Sequence, residues 1–182
     1  MAHQENSTER SGKRRGAGIA ALAALVLGGS LIIMVLVPSK TAVNPVPQSQ
    51  TVGTTFRKDG TLTFISKKDE YLTSIDIEIA DDDSKRETGL MGRPAMEEQQ
   101  GMLFIFQEER SVDFWMKNTI IPLDMIFVDS RNVVVTIQRN TTPYSEQTYS
   151  SGVPVLYVIE VVAGFADRHQ IVPGSKVTWK RL

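Results

Sequence analysis

The chain has 182 residues, 41% of them hydrophobic and 23% charged, with a formal net charge of −1 and no cysteine. That suffices for one globular domain of ~100–150 residues with accessory segments beside it. Disulfides, thiolate metal sites and thiol catalysis are excluded, and the scattered charges of a mildly acidic domain beyond residue 50 argue against nucleic acid as partner.

The charge is unevenly spread. Residues 1–16 carry Arg10, Lys13, Arg14 and Arg15 against Glu5 and Glu9, whereas the stretch beyond residue 50 carries 15 basic and 19 acidic side chains. Residues 19–37 (IAALAALVLGGSLIIMVLV) contain no charge at all. At ~1.5 Å per residue this run reaches roughly 28 Å, close to the ~30 Å of a bilayer core. Residues 17–37 are therefore expected to form one transmembrane helix. Lys13, Arg14 and Arg15 keep the basic tail 1–16 in the cytoplasm and put the remainder outside, on the periplasmic or extracellular face. The alternative is a cleaved signal peptide and secretion. The apolar run is longer than the ~7–15 residues usual in such peptides, and Pro38-Ser39-Lys40 is a poor cleavage sequence. Residues 38–53 (PSKTAVNPVPQSQTVG) lack any apolar period and read as a flexible linker.

Residues 54–182 carry the periodicity of a folded domain. A short strand is expected over 61–65 and a polar turn over 66–70. Residues 72–80 alternate, with Ile75, Ile77 and Ile79 facing one way and Asp76 and Glu78 the other, as in a half-buried strand. Asp81-Asp82-Asp83 precedes a short helix running to about residue 91, with Ser84 and Glu87 at capping-box spacing and Gly92 and Pro94 closing it. No oxygen ligands follow the acidic triplet at EF-hand spacing, so capping rather than calcium is expected. Residues 101–106 (GMLFIF) are apolar on both faces and fit a central strand, with a turn over 107–111.

Residues 114–127 (FWMKNTIIPLDMIF) read as a hairpin turning at 119–122, because Pro122 disfavours a helix. That register sets Lys117 opposite Asp124 and Trp115 opposite Ile126. Phe114, Met116, Met125 and Phe127 then share a core face. A turn at 129–132 leads to a third adjacent strand, 133–138, completing a meander. Residues 140–152 form a long loop of the kind that often carries function. Residues 155–162 (VLYVIEVV) are the strongest strand signal, with Glu160 as their only charge. A turn or single helical turn over 163–169, a type II turn at Pro173-Gly174 and a strand over 176–180 end the chain. Six to eight strands with one short helix predict an all-β or β-rich domain, a compact sandwich, jelly-roll-like fold or partly open barrel.

Arg86, Gly89-Leu90-Met91, Arg93, residues 101–104 (GMLF), Phe106, residues 114–119 (FWMKNT), Pro122-Leu123-Asp124, Phe127, Asp129, Glu160 and Gly164 resemble the bacterial and archaeal domain-of-unknown-function-192 family. The likeness runs from about residue 72 to residue 177, and WMKNT-x-x-PLD is its most specific part. It implies a compact β-sandwich or jelly-roll-like fold and no particular activity. Ser175 departs from the pattern, which more often has Asp there.

The sequence contains no G-x-S-x-G elbow, H-E-x-x-H, Walker loop or G-x-G-x-x-G, so no cofactor or metal is expected. His169, the lone domain histidine, reads as a surface residue. Asn140-Thr141-Thr142 is a glycosylation sequon, relevant only to a eukaryotic secretory route. Arg93, Trp115, Lys117, Asn118, Asp124 and Glu160 are the candidate ligand-binding residues. Asp124 and Glu160 together would also fit a carboxylate pair for hydrolysis of an envelope polymer. A plainer reading pairs Asp124 with Lys117, and Glu160 with Arg93 or Arg86. Three classes follow: a membrane-tethered binding or accessory module for a small polar ligand or envelope protein, a hydrolase, and an assembly domain without ligand. The first is the expectation.

Overall fold

The computed structural model describes residues 55–182. The basic tail, the expected transmembrane helix and the linker lie outside the described residues. Among those described, no helix is long and apolar enough to cross a membrane.

The domain is β-rich, with nine strands and two short helices. They are β1 (Gly60–Ile65), β2 (Tyr71–Ala80), α1 (Asp83–Thr88), β3 (Gln100–Arg110), β4 (Asp113–Phe114), β5 (Leu123–Val128), β6 (Val134–Gln138), β7 (Tyr149–Ser150), β8 (Val155–Val162), α2 (Phe165–Arg168) and β9 (Lys176–Arg181). Seven strands form one sheet in the order β6-β5-β8-β3-β2-β1-β9, and β4 with β7 forms a separate ribbon. All neighbours are antiparallel except β2 and β3, joined by the crossover that carries α1.

A flat sheet of this size would be roughly 29 Å from edge to edge. Here the edge strands meet at one end through the Val133–Lys176 bridge, with Val134 N–H donating to Ser175 O at 2.8 Å and Val177 N–H to Asn132 O at 2.9 Å. The sheet is therefore open but strongly curled. Its inner face holds Leu62, Phe64, Ile77, Leu103, Ile126, Ile159, Val161 and Val177, with Phe165 of α2 packed among them. Its outer face carries Met102, Phe104, Phe106, Met125, Phe127 and Val158, covered by Leu90 of the crossover and by Val112 and Phe114 beside the ribbon. Burying all that apolar surface is the main stabilising term.

Most strands lie within a residue or two of where alternation places them, and β3 is central and buried as its two-faced apolarity requires. It runs on to Arg110, so the expected turn over 107–111 begins only at Ser111. The N-cap of α1 is Asp82 rather than Ser84: the Asp82 carboxylate accepts from Lys85 N–H at 2.8 Å. Asp81 instead binds Lys85 Nζ and Arg181.

The hairpin over 114–127 does not form. Phe114 pairs with Tyr149, and the chain then folds into a tight turn, with Thr119 N–H donating to Met116 O at 3.0 Å and Asn118 at a φ of 56°. Strand β5 is buried along its whole length and lies between β6 and β8. A strand covered on both faces gains more from two full-length neighbours than from one short hairpin partner. The turn at Asp129 does connect β5 to β6, its carboxylate accepting from Arg131 and Val133 N–H at 3.0 and 2.9 Å. Ser175, off the family pattern, is buried and its hydroxyl accepts from Val172 N–H at 3.2 Å.

Candidate functional site

Pairing places Met125, Glu160, Met102 and Glu78 in one row across β5, β8, β3 and β2 on the outer face. Directly opposed residues in paired strands point to the same side, so the two carboxylates flank Met102. Their environments differ sharply. One oxygen of Glu78 accepts from Arg57 N–H at 2.7 Å and the other pairs with the buried guanidinium of Arg93. Glu160 is only 4% exposed and makes no hydrogen bond or ion pair among the described residues. Desolvation without compensation disfavours its charged form and pushes its pKa up to about 8.

Glu160 opens into a cleft of about 420 Å³. One wall is α1 and the turn after it, with Arg86, Gly89 and Met91. The floor is Phe104 and Phe106 of β3, and the far wall is Val112, Asp113, Phe114 and Trp115. Phe114 meets Phe104, Phe106 and Phe127 edge to face at centroid distances of 5.1, 6.5 and 6.0 Å, which fixes the aromatic surface. Gly89 sits at a φ of 47°, and a Cβ there would come within 3.2 Å of the Phe104 ring, so glycine allows both the turn and the close wall. Arg86 is held by Ile105 O at 2.7 Å and Asp83 at 2.6 Å, with its guanidinium 5.7 Å from the Phe106 centroid. Arg110 lies 5.0 Å from the same centroid.

The expected site residues scatter accordingly. Trp115 and Glu160 line this cleft. Arg93 lines a second one, of about 300 Å³, on the other side of the Thr88–Met91 turn. Its Nε is buried without a partner among the described residues. Lys117 is exposed on the rim with its ammonium 5.1 Å above the Trp115 ring. Asn118 serves the turn, its carbonyl accepting from Gly92 N–H at 2.9 Å.

Asp124 is not paired with Lys117, and neither Arg93 nor Arg86 pairs with Glu160. Without the hairpin, Lys117 and Asp124 are never opposed. Asp124 lies opposite Val161 and so faces the inner side, away from Glu160. It is fully buried there, accepting from Asn140 N–H at 2.9 Å and Ala166 N–H at 3.0 Å. It thus pins the long loop and α2 to β5. The cleft-lining Arg86, Phe104, Phe106 and Phe114 were not among the expected site residues. Their apolar pattern signals burial but not a cavity, and the signals that point here are the lone charge in VLYVIEVV and the aromatic Trp115.

Residues 64–179 match the model of DUF192, described as an uncharacterized ACR. The chain belongs to the DUF192 family. The crystal structure of a Sinorhizobium meliloti 1021 protein, described as a proposed transcription regulator, is 38% identical and covers 69% of this chain and 97% of that one, at a TM-score of 0.65. That of a Novosphingobium aromaticivorans protein of unknown function is 34% identical over 65% of this chain and 84% of that one, at a TM-score of 0.62. No curated protein matches. The DUF192 match holds every residue that lines the Glu160 cleft, so that cleft lies within the family domain, whereas the second cleft also takes Thr55 and Arg57 from before the matched residues.

Proposed function

We propose that this DUF192 domain is a binding module that takes a small molecule, with an apolar body and a polar head, into the cleft above Glu160. One observation carries the reading: a carboxyl group with no partner among the described residues, more than nine-tenths buried, opening into an aromatic-walled cleft. Holding a carboxyl in a largely desolvated place, with no protein partner among the described residues, costs folding free energy, and an assembly domain without ligand gains nothing in return. The hydrolase reading needs two carboxylates across one cleft, whereas Asp124 and Glu160 face opposite sides of the sheet. Residues 17–37, read as an uncleaved anchor, would hold the module on the outer face of the membrane as an envelope-accessory protein. The transcription-regulator description of the S. meliloti relative is not carried over, because the residues beyond 50 are net acidic.

Trp115 makes the proposal testable in the full-length chain. With Trp179 replaced by Phe, the remaining emission comes from the cleft rim. A screen of sugars, short peptides, amines, carbonyl compounds and anions should yield compounds that shift it saturably, with the response altered by Glu160→Gln. A screen in which nothing shifts Trp115 emission would reject the binding module.

A further inference from the structure

We propose, resting on the binding-module reading above, that the ligand is an organic cation: a protonated amine with an apolar body, whose ammonium group pairs with the Glu160 carboxylate.

A carboxyl at the end of an aromatic-floored cleft has no counter-charge among the described residues. Every guanidinium near it is engaged elsewhere: Arg86 with Asp83 and Ile105 O, and Arg93 with Glu78. Arg110 lies over Phe106. A ligand cation would supply the positive group that the described residues do not. The aromatic walls suit one, since ring faces attract cations, and Arg86 and Arg110 already rest against Phe106 in this way. The rim itself is balanced: with Asp83 taken up by Arg86, Glu87 and Asp113 stand against Arg110 and the rim Lys117. An anion would meet an unionised acid at the bottom and gain no counter-charge there.

Binding then exchanges a proton for a cation. The ammonium ion enters, Glu160 gives up its carboxyl proton to water, and the ammonium–carboxylate pair replaces the neutral acid. The groups facing Glu160 from the elements around it are few. The α1 side contributes Asp83, Arg86 and Glu87, and the far wall contributes Arg110 and Asp113. The directly flanking side chains on β5 and β3, Met125 and Met102, are uncharged, and Glu78 beyond Met102 is tied to Arg93. None is a histidine, so Glu160 dominates proton linkage around neutral pH. Its pKa of about 8 keeps the free acid protonated below that pH. The apparent affinity for an amine should rise about tenfold per pH unit up to about pH 8 and then level off.

The test compares phenethylamine with phenethyl alcohol, a neutral molecule of the same shape, against the full-length chain by isothermal titration calorimetry. Measurements at about pH 6 and about pH 8, in buffers of different ionisation enthalpy, read both the affinity and the proton released. The expected result is amine binding that tightens by at least tenfold over that span, with about one proton released per amine at the lower pH. Glu160→Gln should abolish the pH dependence and weaken the amine by at least tenfold, and Glu160→Asp should restore part of it. If the alcohol binds as well as the amine, or binding weakens as pH rises, Glu160 acts as a neutral hydrogen-bond donor. The cation is then wrong while the binding module stands. If neither compound binds and no other amine or neutral probe does, both readings fall together. The proton count comes from the unmodified chain and does not depend on how the variants fold.

Discussion

Glu160→Gln should make the domain more stable at neutral and alkaline pH, which is unusual for a change at a buried central strand. In the folded protein desolvation raises the carboxyl from its ordinary 4.5 to about 8. The folded state thus keeps a proton that the unfolded chain has released, and stability falls as pH rises between those two values. The stabilisation relative to an ionised group is complete below the unfolded pKa, declines by ~1.4 kcal/mol per pH unit, and is gone once the folded pKa is passed. Across the whole window this amounts to about 5 kcal/mol, a large part of the ~5–15 kcal/mol typical of a domain. Glutamine of nearly the same shape carries no such proton. Urea unfolding of the wild type and Glu160→Gln at several values between about pH 5 and about pH 9 should show their difference widening in favour of the variant as pH rises. Other titrating groups cancel in that difference. Parallel curves would mean that Glu160 has an ordinary pKa and a partner, and the uncompensated carboxyl would be refuted.

Asp124→Asn should cost ~1.5–3 kcal/mol by chemical denaturation, since it replaces an oxygen that accepts a buried amide with a donor, whereas the rim residue change Lys117→Ala should cost less than ~1 kcal/mol. Arg93→Ala leaves Glu78 buried without its counter-charge and should cost ~3–5 kcal/mol. Phe127→Ala should cost a similar ~3–5 kcal/mol by removing a fully buried ring. For topology, protease added to intact spheroplasts should digest a tag placed after Leu182 and spare one before Met1, whereas a mature chain starting near residue 40 would mean signal cleavage and secretion.

The period-two alternation of Ile75, Ile77 and Ile79, and the unbroken apolarity of GMLFIF and VLYVIEVV, make β2, β3 and β8 legible from the chain alone. Local pattern says which residues are strands but not which strands are neighbours. The hairpin expected over 114–127 fails for that reason: β5 finds its partner in β8, more than thirty residues on, a choice set by burying both faces of the sheet. The β4–β7 ribbon is invisible in the sequence because two-residue strands carry no alternation. Two members of the site are readable. Glu160 stands out as the single charge in an apolar run, and Trp115 as a large aromatic beside polar residues. Asp124 looks equally chemical, but its side of the sheet depends on pairing with β8, which the sequence does not display. The acceptor role of Asp124 toward Asn140 and Ala166 follows only from the loops that cross it.

The cleft above Glu160 as the place of binding is tested most directly by methyl NMR of the full-length chain labelled at methionine. Met91 lines the cleft, and Met102 and Met125 flank Glu160 in the cross-sheet row. A compound that binds there should move these three methyl signals together and saturably, with Glu160→Gln weakening the effect. Ligands that shift Trp115 emission yet leave Met91, Met102 and Met125 unmoved would contradict binding in the cleft.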